Sequence, residues 1–377
     1  MIIGIPKESA AGERRVAIVP DAVTKLLPNR VLVQAGAGET SNFTDDMYAG
    51  YKAEIVPDAA SVYSQSEVIL KVQPPSVDEV EHYREGTTLV SFLYPATNLH
   101  LIKSLVAKRI TAFAMDLIPR ISRAQSMDAL SSQATISGYK AVLLAANSVP
   151  KLFPLLMTAA GTISPARVFV IGAGVAGLEA IAISRRLGAL VEAYDVRPAV
   201  KEQIESLGAK FVQIPVTAAD AQATSGYAKA QSEEFYRKQQ ELLAEHVKIS
   251  DVVITTALVP GQRAPILVAE DAVKQMKPSS VIVDLAAEQG GNCPLTEAGK
   301  TVVKYGVTIH GLLNLPSMMA PEASRLYSKN VTTFLLSILK NSSMNVDLND
   351  ELTRGALVTQ NGQVMHEPTR KAMEGVK

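Results

Sequence analysis

Short apolar runs, most of them rich in β-branched residues, recur along this chain with helix-like patches between them. In the first third they fall at 2–6, 15–19, 30–34, 68–72, 88–92 and 110–114, with helical patterning over 21–27 and 99–108. Strands without polar alternation, separated by crossover-length segments, predict a parallel sheet covered on both faces. A second series follows at 168–171, 190–194, 210–213, 252–255, 281–285 and 307–311. Six such strands suffice for a full doubly wound dinucleotide fold. Between the two series, 131–148 reads as one long helix able to bridge two domains. The apolar run 331–339 is a candidate for the return crossing. The tail has hairpin character, with Ala356-Leu-Val-Thr and Gln363-Val-Met flanking a turn at Asn361-Gly362. The pattern predicts an α/β protein of two doubly wound, parallel-sheet, Rossmann-like domains bridged by long helices. The expected boundaries are 1–130 plus 318–377 for a discontinuous first domain, and 131–317 for the second.

The second series carries the candidate chemistry. The run at 168–171 leads directly into Gly172, Ala173, Gly174, Val175, Ala176 and Gly177, which is G-x-G-x-x-G spacing, and then into a helical stretch. Gly172 permits the tight turn, Gly174 lets backbone approach a pyrophosphate, and Gly177 lets helix and strand pack closely. The helix N-terminus offers N–H groups and the positive end of its dipole to phosphates. The next strand ends in Asp195, a little over twenty residues after Gly172. Its carboxylate can accept from the adenosine ribose hydroxyls and would repel a 2′-phosphate, which favours NAD(H) over NADP(H). Val196 and Arg197 follow it, and Arg197 can soften that discrimination. A bare glycine motif is weak, and the rival reading is an ordinary glycine-rich strand-to-helix turn. The surrounding strand, helix, second strand and acid are what make the motif informative.

Composition narrows the class. Of 377 residues, 47% are hydrophobic and 20% charged, enough for sizeable cores. Lys+Arg and Asp+Glu balance at 37 each, so no global charge favours nucleic acid or an anionic membrane. Cys293 is the only cysteine, which excludes disulfides within the chain and thiolate metal clusters. The five histidines show no metal-ligand spacing. No stretch approaches the roughly twenty apolar residues that span a bilayer, and the start lacks a signal-peptide core. The expectation is a cytoplasmic protein with no metal, no nucleic acid and no direct membrane insertion.

Two further segments stand out. Residues 117–133 are dense in groups able to fix a carboxamide: Arg120, Gln125, Asp128 and Ser131. A nicotinamide amide needs both a donor and an acceptor, and Arg120 could pair with Asp128 to hold both still. The alternative is a solvated loop capping the following helix. Residues 216–232, with Gly226-Tyr227 inside, show no clean period, and a loop this long is either functional or passive.

On these residues the chain resembles the soluble NAD(H)-binding component of proton-translocating nicotinamide nucleotide transhydrogenases, in the split-alpha form. Nearly the whole chain is covered. The most specific pieces are Arg120-Ile-Ser-Arg-Ala-Gln-Ser-Met-Asp128 with Ser131-Ser-Gln133, and the glycine motif. Thr255-Thr-Ala-Leu-Val-Pro-Gly261 and Asp284-Leu-Ala-Ala-Glu-Gln-Gly-Gly-Asn-Cys293 also match. Pro6-Lys-Glu8 and Arg15-Val-Ala-Ile-Val-Pro20 are shared with the related alanine dehydrogenases. The resemblance implies that Arg120, Gln125, Asp128 and Ser131 contact or orient the nicotinamide. Residues 172–177 would hold the pyrophosphate, with Asp195 on the ribose, and Tyr227 on a loop that closes over bound nucleotide. It further implies a homodimer, docked with the NADP(H)-binding domain of a beta subunit and with membrane-spanning alpha and beta segments. Hydride would pass directly between NADH here and NADP on that partner, coupled to proton translocation. The chain would then sit on the inner face of the cytoplasmic membrane through its partners. After His310-Gly311 the sequence departs from relatives, with Met318 in place of a common Arg, and no role is carried to that loop.

The chief alternative is an alanine-dehydrogenase-like amino-acid oxidoreductase. That chemistry needs a proton-transfer group and a carboxylate anchor. Arg15 and Lys71 stand where that family binds a substrate carboxylate, but Tyr94 stands where its catalytic histidine belongs and Glu288 where its aspartate belongs. Direct hydride exchange moves no substrate proton and needs only alignment and dryness. Arg15 and Lys71 are therefore read as structural ion-pairing groups. A third reading is a nucleotide-binding module with no turnover of its own.

Overall fold

The computed structural model describes residues 1–214, 233–258, 262–340 and 343–375. The loop predicted over 216–232, with Tyr227, lies outside the described residues. The chain divides into two compact units, 1–133 with 316–377, and 134–315.

The first unit is built on an eight-stranded sheet. Six parallel strands lie in the order Glu54–Val56, Arg30–Gln34, Ile2–Ile5, Val68–Leu70, Thr88–Ser91, Thr111–Ala114. This is the doubly wound order 3-2-1-4-5-6. Leu357–Gln360 adds antiparallel to Thr111–Ala114, and Gln363–Val364 pairs back on it across the Asn361-Gly362 turn. Successive side chains point to opposite faces. Val68 and Leu70 pack with Tyr327, Phe334 and Leu335 of the helix Ala320–Ser337 on one face; Ile69, Leu89 and Ala112 pack with Ile102 and Leu105 of the helix Leu99–Ala107 on the other. That double cover is why the strands read as unbroken apolar runs.

The second unit carries a seven-stranded sheet. Its order is Lys210–Val212, Leu190–Tyr194, Arg167–Ile171, Val252–Thr255, Val281–Asp284, Val307–His310, with Thr301–Lys304 antiparallel at the edge. Again the parallel strands follow the 3-2-1-4-5-6 order. The helix Ala129–Ser148 runs from the first unit into the second, where Ala141, Val142 and Ala145 join a core with Val168, Val170, Ala180 and Ile254. The chain returns to the first unit at 315–316, within the short 3-10 turn Leu315–Met319, and Ala320–Ser337 follows inside that unit.

Three local features differ from the sequence pattern, each for a physical reason. Residues 15–19 are not a strand. Their apolar side chains are buried, but Val16 N donates to Ser324 Oγ, Val19 N donates to Ser328 Oγ, and Ile18 O accepts from Tyr48. Side chains satisfy the backbone groups a ladder would have used. The helix expected over 21–27 shrinks to a 3-10 turn, Pro20–Ala22, and Val23–Leu26, because Pro28 disfavours helical backbone at Leu27. Glu54–Val56, Thr301–Lys304 and the hairpin Leu156–Thr158 with Gly161–Ile163 are strands too short or too exposed to give an apolar run.

Candidate nucleotide site

In a doubly wound sheet the ligand crevice opens where the strand order reverses, at the carboxyl ends of the first and fourth strands. In the second unit those strands are Arg167–Ile171 and Val252–Thr255, and they end at Gly172 and Thr256. Gly172 has φ +99, in the left-handed region. A Cβ on Gly177 would lie 1.9 Å from Gly172 O, so only glycine permits this approach. Thr256 Oγ1 donates to Gly172 O at 3.0 Å, joining the two strand ends. The helix Val175–Arg186 starts at Gly174 with no side-chain cap and no acid in its first turn. No carboxylate in that turn therefore competes for the positive end of the dipole. Ala173 is buried; Gly174 and Val175 are exposed, and Ala176 is half-buried.

Asp195 sits directly behind this turn. Its Oδ2 accepts from Ala173 N at 2.7 Å, and its Oδ1 from Arg197 N at 2.8 Å and Arg197 Nε at 2.9 Å. The guanidinium also reaches Oδ2 at 3.0 Å and Ala173 O at 3.3 Å. Burial pushes the carboxyl up, but these hydrogen bonds and the Arg197 charge prevail and hold it below the usual aspartate range. Arg197 thus pairs directly with the acid that would meet a ribose, and Val196 between them is exposed.

Groups not singled out from sequence support this site. Asn292 is fully buried. It accepts from Ala257 N at 3.1 Å, and donates to Ala257 O at 2.9 Å and Pro265 O at 2.8 Å. Asp284 takes Thr255 Oγ1, Ala286 N, Cys293 N and Thr296 Oγ1. Both residues lie in the Asp284–Cys293 stretch that carries the family resemblance, but nothing in composition separates them from its other members. Cys293 is buried and its thiol is pushed up to about 11 by desolvation, which makes it a poor nucleophile. Among the described residues no group of His, Cys, Asp and Glu could hold a metal ion.

In the first unit, the expected pairing of Arg120 with Asp128 does not form. Asp128 caps the helix Ala129–Ser148 instead: its carboxylate accepts from Ser131 N at 2.9 Å and Ser131 Oγ at 2.6 Å. A carboxylate just before the helix satisfies a first-turn N–H that has no partner within the helix. Arg120 and Gln125 are exposed; Arg123 rather than Arg120 makes an ion pair, with Asp350. The sequence-derived residues thus separate into Asp128–Ser131, mutually bonded, and Arg120 and Gln125, exposed nearby along the same segment.

The matching switch point of the first unit holds Glu8 and Lys71. Glu8 accepts from Val72 N at 2.5 Å and Gln73 N at 3.3 Å, and Lys71 Nζ lies 3.5 Å from Glu8 and 2.9 Å from Glu79. Lys71 is 0% exposed. Burial disfavours its charge, but the two carboxylates outweigh this and raise its pKa. Arg15 is engaged by both oxygens of Glu13 and by Gln133 Oε1 at 2.8 Å. Despite burial, these bonds lower the Glu13 carboxyl to about 2. Tyr94 stands exposed with φ +44, its N–H held by Asp116 at 3.0 Å. Glu288 is exposed and accepts from Asn314 N at 3.0 Å.

Sequence comparison places both units. Residues 4–137 match the family Alanine dehydrogenase/PNT, N-terminal domain, and residues 141–367 match Alanine dehydrogenase/PNT, C-terminal domain. The chain is 48% identical over 376 residues to the first part of NAD(P) transhydrogenase subunit alpha of Rhodospirillum rubrum, covering 97% of this chain and 98% of that one. It is 31% identical to alanine dehydrogenase of Bacillus subtilis, over 97% and 93% of the two chains. The crystal structure of a transhydrogenase from Sinorhizobium meliloti superposes with a TM-score of 0.85 at 44% identity, over 97% of this chain and 99% of that one. The chain belongs to the alanine dehydrogenase/PNT family, and it is more similar to the Rhodospirillum transhydrogenase alpha subunit than to the Bacillus alanine dehydrogenase.

Proposed function

We propose that this chain is the NAD(H)-binding component of a proton-translocating transhydrogenase and passes hydride directly to NADP held by a partner domain. The observation that carries the reading is the second unit's switch point: a glycine turn that a Cβ would fill, an acid-free helix N-terminus, and Asp195 bonded to the turn. These residues fit a dinucleotide. Residues 172–177 would hold its pyrophosphate and Asp195 its adenosine ribose, with Val196 and Arg197 beside it. Bound NADH supplies the hydride from its nicotinamide C4. The chain's own contribution is alignment and exclusion of water, and Gln125, with Arg120, Asp128 and Ser131, orients the carboxamide.

The partners of this reading are a second copy of the chain, the NADP(H)-binding domain of a beta subunit, and membrane-spanning alpha and beta segments that place the complex on the inner face of the cytoplasmic membrane. Among the described residues no helix is long and apolar enough to cross a membrane. The name of the Rhodospirillum relative, one piece of an alpha subunit, supports a multi-subunit assembly. The hairpin Leu156–Thr158 with Gly161–Ile163 supports self-association: every residue in its strands is exposed, and Met157 is 78% so. An apolar hairpin of this kind is a natural arm for a second copy.

An alanine-dehydrogenase activity is disfavoured by the first unit. Arg15 and Lys71, the cations that would anchor a substrate carboxylate, are buried against Glu13, Glu8 and Glu79, and Tyr94 offers no imidazole. The experiment that separates the readings is an assay of the chain with and without an NADP(H)-binding transhydrogenase component. Hydride transfer that requires the component supports the proposal; alanine-dependent reduction of NAD by the chain alone overturns it.

A further inference from the structure

Asn330, on the helix Ala320–Ser337, is 6% exposed, and both ends of its amide are used. Its Nδ2 donates to Ser126 O at 2.8 Å, and its Oδ1 accepts from Ser132 Oγ at 2.7 Å. Ser126 lies in the 3-10 turn Ser122–Met127, next to Gln125, and Ser132 lies in the first turn of the helix Ala129–Ser148, next to Ser131. One amide therefore spans the stretch that carries Gln125, Asp128 and Ser131, and fixes the separation of its two ends.

The bridge is anchored in turn. Gln133 Nε2 donates to Ser132 Oγ at 3.2 Å and to Ala323 O at 3.1 Å, while its Oε1 takes Arg15 at 2.8 Å. A continuous run of hydrogen bonds thus leads from the buried Glu13–Arg15 pair through Gln133 and Ser132 to Asn330 and Ser126. Ala124 and Met127, on either side of Gln125 and Ser126, are buried, so the turn is gripped from within while Gln125 itself is presented outward. Support of this kind fixes the backbone from which Gln125, Asp128 and Ser131 project, and a 1 Å error in placement costs about a hundredfold in rate.

We propose that Asn330 is a positioning residue for hydride transfer, acting through the segment that bears Gln125, Asp128 and Ser131; this rests on the function proposed above. The amide works because it donates at one end and accepts at the other. In Asn330→Asp the acceptor for Ser132 stays, the donor to Ser126 O is lost, and a carboxylate faces a carbonyl oxygen. Ser132→Ala removes the other end of the bridge with a smaller change in the core.

The test uses the full chain with an NADP(H)-binding transhydrogenase component, and reads three quantities: single-turnover transfer at saturating NADH, NADH affinity by calorimetry, and Tm. Expected for Asn330→Asp is a fall in transfer of about thirty- to a hundredfold with NADH affinity changed less than about threefold, because the adenosine and pyrophosphate contacts lie elsewhere. Ser132→Ala should fall by about tenfold in transfer, again with affinity kept, and remains decisive if Asn330→Asp does not fold. Parent-rate transfer in the folded variants, or transfer and affinity falling together with Tm, overturns the positioning role. Failure of the parent chain itself to transfer hydride would overturn the underlying function as well, so the two failures are told apart.

Discussion

A Cβ placed on Gly177 would stand 1.9 Å from the carbonyl oxygen of Gly172, and Gly172 itself is at φ +99. The two glycines therefore share one constraint: the first turn of the helix Val175–Arg186 presses on the strand end it leaves. Gly177→Ala must push helix and turn apart. The expected result is a loss of about 1–3 kcal/mol in stability with at least about tenfold weaker NADH binding, since displaced N–H groups no longer converge on a phosphate. Denaturant melts and calorimetry on the same variant check both parts.

The Asp195–Arg197 pair should govern cofactor choice if the dinucleotide ribose lies against it. The carboxylate disfavours a 2′-phosphate, and Arg197, bonded to it through Nε at 2.9 Å, tempers that. NADH should bind far better than NADPH. Asp195→Asn should narrow the gap by about tenfold or more, the scale of one charged hydrogen bond. Because the folded pKa of Asp195 is depressed, its contribution is present above the unfolded value of 3.8 and is lost as pH falls through its lower folded value. The carboxylate therefore stays charged from neutral pH down to about 5, and the preference measured by calorimetry should weaken there only as the 2′-phosphate takes up its second proton at about pH 6. Equal affinity for the two nucleotides would remove this account of the acid.

Much of the fold and of the candidate nucleotide site is legible in the sequence, because the signals are local. Both sheets announce themselves as buried apolar runs, and the glycine turn and Asp195 lie within one strand–helix–strand unit. What is not legible depends on residues far apart. Val16 and Val19 read as a strand until Ser324 and Ser328, some three hundred positions away, take their N–H groups. The partner of Asp128 is ambiguous in sequence because a capping position competes with a neighbouring arginine, and capping decides it. Asn330 gives no signal, since one asparagine inside an amphipathic helix looks like any other polar position.

The buried Glu13–Arg15 pair makes a pH-dependent contribution to stability. The carboxyl is lowered from 4.5 to about 2 on folding, so the pair stabilises fully above the unfolded value and loses its effect as pH falls through about 2. Glu13→Gln should destabilise by about 3 kcal/mol at neutral pH, because it removes the carboxylate that grips the buried Arg15 through both oxygens. Urea melts of parent and variant should show that difference shrinking as pH drops from about 4.5 towards about 2. A gap independent of pH would mean the carboxylate is not the source.

Self-association should depend on the exposed hairpin. The parent should sediment as a dimer, and Met157→Asp, which places a charge at the most exposed apolar position of its strands, should sediment as a monomer with the fold intact. Sedimentation velocity reads the mass and circular dichroism the fold. A variant with the same mass as the parent would show that the hairpin does not mediate self-association.

Direct hydride transfer between two nicotinamides needs neither a proton-transfer group nor a covalent intermediate. The most direct measurement is stopped-flow transfer from NADH deuterated at C4 to NADP on an NADP(H)-binding transhydrogenase component, with the product analysed by mass spectrometry. The expected result is deuterium recovered in the NADPH and none exchanged with water. Gln125→Asn, which shortens the amide's reach by one methylene, should slow transfer about a hundredfold while NADH still binds. Solvent-derived hydrogen in the product, or Gln125→Asn transferring at the parent rate, would contradict the account.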